Sequence, residues 1–155
     1  MISPGVRLGA GAPRRYKLPA HLRAKISWQD YLRGFAMSTS IVRLDGPLTA
    51  EVSEPPAERL IAGTPQLQVR NYFSDPSQQF FAGRWAATRG KWRVRYTENE
   101  LCVMTAGKVV IESASGERSS FGPGDVFVVP AGFSGTWEVI EDCAKIYAIF
   151  EAHQT

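Results

Sequence analysis

Histidine is nearly absent from this 155-residue chain: His21 and His153 are the only two. That scarcity works against imidazole-based metal centres and against a Ser-His-Asp triad, each of which needs a histidine beside its partners. Cysteine is as sparse. Cys102 and Cys143 are too few for a disulfide framework or a thiolate zinc cage, and both sit in apolar stretches, so they read as reduced core residues. No apolar run approaches the roughly 18 residues that a membrane-spanning helix needs. The N-terminus also lacks the charged, apolar and small-residue succession of a signal peptide. A cytoplasmic protein with no membrane association is the expectation. Nucleotide signatures are missing too. Gly9-Ala-Gly11-Ala has no preceding strand and no third glycine, and Gly122-Pro123-Gly124 is not followed by the Lys-Ser/Thr of a phosphate loop.

What is present suits one folded domain. The chain is 44% hydrophobic, enough for an ordinary core, and too short for two full domains. Its net charge of +3 conceals an asymmetry. Residues 1–36 carry seven basic side chains (Arg7, Arg14, Arg15, Lys17, Arg23, Lys25, Arg33) against Asp30 alone, a net of +6. The remaining residues carry 11 basic against 14 acidic side chains, a net of −3. The basic pI therefore belongs to the leader, and nucleic-acid binding by the rest is not expected.

Residues 1–36 read as a basic leader, disordered or outside the fold. A weak amphipathic helix is possible between His21 and Phe35, with Leu22, Ile26, Trp28, Tyr31, Leu32 and Phe35 apolar. Three readings of the leader stay open: a disordered tail, an Arg-rich targeting-like segment, or translation from upstream of a true start at Met37. Residues 37–65 are broken by Gly46-Pro47, Pro55-Pro56 and Gly63-Thr64-Pro65, so only Ser40–Leu44 and Leu48–Val52 are candidates for extended structure, at a sheet edge. From residue 66 to 151 the pattern becomes short extended runs between turns, which predicts an antiparallel all-β fold. The runs are Leu67–Phe73, Phe80–Thr88, Trp92–Thr97, Glu100–Thr105, Val109–Ser113, Arg118–Phe121, Val126–Val129, Thr136–Ile140 and Lys145–Phe150. Tight turns are expected at Arg89-Gly90-Lys91 and Ala106-Gly107-Lys108, and at Gly122-Pro123-Gly124-Asp125, where Pro presets φ and Gly permits its positive values.

Two half-motifs carry a family resemblance. Glu100, six residues and Gly107 match the end of the first cupin motif, G-x5-H-x-H-x(3,4)-E-x6-G. Gly124-Asp-Val-Phe-Val-Val-Pro130-Ala-Gly132 matches the opening of the second, G-x5-P-x-G-x2-H-x3-N. Trp85, Trp92, Tyr96, Glu100, Cys102 and Gly107, then Pro130, Gly132, Phe133, Trp137, Val139, Lys145 and Tyr147, further resemble the Cupin_3 subgroup. That subgroup holds the ureidoglycine aminohydrolase-like and ethanolamine-utilisation Q-like proteins. The resemblance implies an RmlC-like double-stranded β-helix, a jelly-roll barrel over residues 66–151, and a homodimer in which the N-terminal edge meets a second subunit.

The departures from the motifs bear on chemistry. With Glu100 as the motif glutamate, the two histidine positions fall at Val94 and Tyr96, the third at Gly135 and the asparagine position at Val139. One carboxylate with a valine and a glycine in place of imidazoles is a poor divalent-metal site. The expectation is no metal and no cofactor, and the manganese-dependent activity of the aminohydrolases does not carry over. Strand parity instead turns Trp92, Val94, Tyr96, Glu100 and Cys102 inward, and Arg93 and Arg95 outward. Tyr96, Glu100 and Lys145 are the candidate acid–base group, and Trp137 with Tyr147 a candidate stacking wall for a ring or sugar.

Three functions follow from this reading. The first is a metal-independent small-molecule-binding site of Tyr96, Glu100, Trp137, Lys145 and Tyr147. The second is a metal-free enzyme acting through Glu100, Tyr96 or Lys145 on a small metabolite such as a sugar, amide or ureido compound. The third is a structural or regulatory module acting through its surface. The discriminating feature is the Glu100–Lys145 environment: an open cavity of a few hundred Å3 favours the first two, and a sealed salt bridge counts against both. Arg84, Arg89, Arg93 and Arg95, near one hairpin in sequence, are a candidate anion patch or a solvated charged face.

Overall fold

The computed structural model describes residues 40–152; the leader to residue 39 and both histidines lie outside them. All regular structure in these residues is β: β1 (Glu51–Ser53), β2 (Leu60–Gly63), β3 (Leu67–Ser74), β4 (Phe80–Ala87), β5 (Gly90–Arg95), β6 (Asn99–Ser113), β7 (Arg118–Phe121), β8 (Val126–Val129) and β9 (Ser134–Phe150). Among the described residues no helix is long and apolar enough to cross a membrane.

β6 and β9 organise the fold. They pair with each other antiparallel from Asn99↔Phe150 to Ser113↔Gly135, and each serves two sheets. The C-terminal half of β9 and the N-terminal half of β6 sit in the strand order β1-β3-β4-β9-β6-β8. Their other halves sit in the order β2-β5-β9-β6-β7. The two sheets face one another as a jelly roll does, and the core lies between them. All pairings are antiparallel, as the sequence pattern predicts.

The alternation of side chains explains which residues enter that core. In β5 and the turn after it, Trp92, Val94, Tyr96 and Glu98 are buried while Arg93, Arg95 and Thr97 are exposed. Trp85 of β4 meets Trp137 of β9 edge-on, ring centroids 5.7 Å apart, and Trp92 lies directly across from Trp137 in the ladder. Such aromatic pairs add stability beyond the area they bury.

Two boundaries differ from the expectation. Ala106-Gly107-Lys108 is not a turn between two strands; β6 runs through it, with register irregularities at Met104, Ala106 and Lys108. Buried positions are even-numbered before this point (Glu100, Cys102, Met104) and odd-numbered after it (Val109, Ile111), as an inserted residue requires. Gly107 is needed there, because its φ of 71° is left-handed and a Cβ would lie 2.2 Å from the Asp142 carbonyl oxygen. The expected strands Thr136–Ile140 and Lys145–Phe150 are likewise one strand, β9. In the N-terminal segment two short strands form, β1 pairing only with β3 and β2 only with β5, each at a sheet edge; β2 falls where no extended run was expected, and Ser40–Leu44 is not a strand.

A close contact inside the first sheet gives a test of the packing. A Cβ at Gly83 would lie 2.2 Å from the Arg70 carbonyl oxygen and 2.5 Å from the Tyr147 hydroxyl. Gly83→Ala is therefore expected to cost about 2–3 kcal/mol as overpacking. Gly46→Ala, where nothing lies within 4 Å, is expected to stay within about 0.5 kcal/mol. Equal denaturation midpoints for the two variants would contradict this register.

Candidate functional site

The four motif positions that would hold a metal come together in the barrel, but with other chemistry. Val94 and Gly135 are direct cross-strand partners. Tyr96 is fixed by backbone bonds to the Pro130–Phe133 turn: its N–H donates to the Phe133 carbonyl at 2.9 Å, and its own carbonyl accepts from the Gly132 N–H at 2.9 Å. The positive φ of Gly132, 88°, makes that turn possible. The motif residues Pro130 and Gly132 thus hold Tyr96 against the site.

Glu100 is engaged by a lysine. Lys145 Nζ donates to Glu100 Oε1 at 2.8 Å, with side-chain exposures of 4% and 1%. The same ammonium lies 3.3 Å from Cys102 Sγ and sits over the rings of Trp137 and Trp85, 4.5 and 5.0 Å from their centroids. Trp85 is the cross-strand neighbour of Lys145, so register alone delivers one of the two cation–π contacts. Burial lowers the lysine's proton affinity, but the Cys102 sulfur and the Glu100 carboxylate together outweigh it and leave the pKa above the ordinary value. Lys145 is held as the ammonium.

The neighbouring groups are held neutral. Burial first, and then the Glu100 carboxylate, push the Tyr96 phenol well above its usual range. Burial pushes the Cys102 thiol up to about 12, with Lys145 opposing. Glu98 was missed by sequence reasoning, which treated its position as a strand break. It is a second buried carboxylate and accepts from the Thr97 N–H at 2.8 Å and the Thr97 hydroxyl at 3.0 Å. It shares parity with Tyr96 and Glu100, the signal that would have found it.

Tyr96, Glu100, Trp137 and Lys145 line one interior cavity together with Trp85, Trp92, Val94 and Leu67, and its volume is about 20 Å3. That is the room of a single water. Two polar atoms of this lining, Glu100 Oε2 and Trp137 Nε1, are buried without a hydrogen-bond partner among the described residues. Tyr147, expected in the same wall, is not part of the lining. Its hydroxyl donates to Asn71 Oδ1 at 3.0 Å over Gly83, and it serves the first sheet's packing. The arginines do not form one patch either. Arg84 lies opposite Ile146 and Arg93 opposite Thr136, toward opposite ends of β9, and Arg84 Nε donates to the Leu44 carbonyl at 2.6 Å.

The residues present do not fit the divalent metal that the cupin motifs imply. Lys145 already occupies the carboxylate with a fixed positive charge. Gly135, at the third ligand position, cannot carry an imidazole without moving β6, since a Cβ there would lie 2.0 Å from the Glu112 carbonyl oxygen. Among the described residues no group of three His, Cys, Asp or Glu is placed to hold a metal ion.

The family model of the EutQ-like cupin domain matches residues 74–147. A protein of unknown function of the DUF861 family from Pseudomonas syringae pv. tomato str. DC3000 is similar in structure, with a TM-score of 0.62 and 25% identity over 70% of this chain. The match spans 46% of that protein, so this chain covers about half of its length. The EutQ protein of Clostridium difficile is similar in fold, with a TM-score of 0.52 and 17% identity over 57% of this chain and 64% of its own. So is a putative ethanolamine utilization protein Q from Salmonella typhimurium LT2, with a TM-score of 0.51 and 16% identity over 56% of this chain and 71% of its own. No curated protein matches the sequence. The motif halves, the two-sheet topology built on β6 and β9, and these likenesses agree: the chain carries an all-β domain of the cupin fold, whose residues 74–147 match the EutQ-like cupin model.

Proposed function

We propose that this cupin is a metal-independent, non-catalytic module that works through its surface, its interior charge cluster serving the fold. The observation that carries the reading is the cavity of about 20 Å3 around a buried Glu100–Lys145 ion pair. Small-molecule sites occupy about 300–1,000 Å3, and this interior is filled by Trp85, Trp92 and Trp137 instead. Two of the acid–base candidates, Lys145 and Tyr96, also lack a working range near neutrality. A general base must be deprotonated in the resting state, whereas Lys145 is held charged and Tyr96 held neutral.

One observation favours a second reading, a small polar ligand in the barrel. Glu100 Oε2 and Trp137 Nε1 face the same space without partners, and a guest that donates to the carboxylate and accepts from the indole would satisfy both. Such a guest, an amide or ureido compound for instance, needs the aromatic lining to open. A thermal-shift screen separates the two. Metabolites and divalent ions at millimolar concentration are expected to leave the melting temperature unchanged. A native-state ligand at 100 times its Kd would instead add about 2.7 kcal/mol. A saturable shift that disappears in Glu100→Gln or Tyr96→Phe would replace the surface reading with the binding one.

A further inference from the structure

The outside of the first sheet is apolar across four strands. Register sets Val128, Leu101, Ala148 and Ala82 side by side, with Val126, Val103, Ile146 and Arg84 in one flanking row and the partners Phe150 and Phe80 in the other. Val126 and Val128 are 62% and 58% exposed, and Phe150 48%. The outside of the second sheet is built differently. Its rows hold Lys91, Glu138, Val110 and Ser120, then Arg93, Thr136, Glu112 and Arg118. Lys91 and Arg118 there each form ion pairs with Glu112 and Glu138. An antiparallel sheet with one face in water ordinarily turns polar residues to it. The second sheet follows that rule and the first breaks it, and an exposed apolar face of this kind marks an interaction surface.

The chemistry of the face selects its occupant. Arg84 is the single ionic side chain in these three rows, and its Nε donates to the Leu44 carbonyl at 2.6 Å. A charged partner such as a nucleic acid or a lipid headgroup therefore finds nothing to pair with. A two-fold contact sets the same patch against itself, and an aliphatic patch is complementary to itself without repulsion. The size suits such a contact. Residues 44–48 lie against β3 and β4 through Arg70, Tyr72 and Arg84, and β9, β6 and β8 have no such strip over them among the described residues. With that strip the six strands from β1 to β8 span about 24 Å, and the eight residues of β4 run about 26 Å. A flat rectangle of that size is about 600 Å2, and side-chain relief brings it toward the roughly 800 Å2 per partner of a stable interface. The edge agrees. β8 pairs only with β6, and its Val-Phe-Val-Val carries neither the charge nor the proline that guards an open edge.

We propose that two copies of this chain pack the outer faces of β4, β9, β6 and β8 against each other about a two-fold axis. The inference rests on the reading that the domain works through its surface, and it names a second copy as what that surface binds. The contact is not the one expected through the N-terminal edge, because β1 and β8 lie at opposite edges of the sheet.

Sedimentation of the full chain over a range of concentrations tests this. A two-chain mass is expected at about 10 µM and above. Val126→Ser with Val128→Ser, at exposed positions where no core cavity forms, is expected to raise the dissociation constant about tenfold or more. Leu101→Lys with Val128→Lys is expected to give a single chain, and so is Leu101→Glu with Val128→Glu. Mixed in equal amounts, the lysine and glutamate variants are expected to recover a dimer, which shows that both are folded. Ser120→Lys, on the outside of the second sheet, is expected to change nothing. A chain that stays single at about 100 µM overturns the proposal. A dimer that survives the two lysines also overturns it, because another surface, such as the β1 edge, then holds the copies together. The two readings fail separately. A single-chain mass leaves the surface reading standing, and a metabolite shift abolished by Glu100→Gln removes that reading while leaving the dimer intact.

Discussion

Lys145→Met is expected to destabilise this protein by about 3–5 kcal/mol, the range for removing one partner of a buried ion pair. The substitution keeps much of the volume and the unbranched shape, so the loss reports charge rather than a cavity. It would strand Glu100, whose side chain is 1% exposed and whose Oε2 already has no partner. It would also remove the cation held over Trp85 and Trp137, a contact worth about 2 kcal/mol when desolvated. For a domain of this size the melting temperature should fall by roughly 10–15 °C. Glu100→Leu combined with Lys145→Met removes both charges, and apolar replacement of a whole buried pair is often neutral or stabilising. The double variant should therefore recover most of the loss. A double-mutant cycle by thermal or denaturant melts checks this. If Lys145→Met alone costs less than about 1 kcal/mol, or if the effects of the two single substitutions merely add, the pair is not the centre of the barrel's electrostatics.

Much of this arrangement was legible in the residues, and the misses have physical causes. Alternation in strands identified the inward set of Trp92, Val94, Tyr96, Glu100 and Cys102, because parity is local and needs no knowledge of partners. The pairing of Glu100 with Lys145 was legible as well, since a buried carboxylate calls for a cation and few are available. Ala106-Gly107-Lys108 misled because a glycine with left-handed φ serves equally in a hairpin and in a bulge. Only the pairing of β6 with β9, some 40 residues away in sequence, decides between them. Tyr147 shares the parity of Lys145, yet it lies over Gly83 and bonds Asn71, a consequence of where the sheet packs rather than of which way a side chain points. The cavity volume was not legible at all. It depends on how three tryptophans fill the space around the ammonium, and pattern alone leaves an open pocket and a sealed core equally plausible.

The same burial predicts a steep loss of stability in alkali. The Cys102 and Cys143 thiols are pushed by burial from the ordinary value near 9 up to about 12 and about 11. Burial also raises the Tyr96 and Tyr147 phenols, and Lys145 is raised against burial by its partners. In every case the folded chain keeps its proton to higher pH than the unfolded chain does. Each contribution is therefore fully present below the unfolded pKa and is lost as pH rises toward the folded one. The loss begins near pH 9 with the thiols and is joined near pH 10 by the phenols and near pH 10.5 by the amine. Each group contributes about 1.4 kcal/mol per pH unit once the unfolded form has ionised. Two thiols and two phenols together reach about 5.5 kcal/mol per unit once all four unfolded forms have ionised, against a total stability of about 5–15 kcal/mol for a natural domain. Cooperative unfolding is expected between about pH 10 and 12, while stability between pH 6 and 8 stays nearly flat with respect to these groups. Denaturant midpoints measured across that range, on the unsubstituted chain and on Cys102→Ala with Cys143→Ala, decide the matter. The double cysteine variant should start from a lower stability, since it removes buried side chains, but lose it with roughly half the slope between pH 9.5 and 11. An unchanged slope would mean that the thiols ionise freely in the folded state, and the interior of this barrel would then be open to hydroxide.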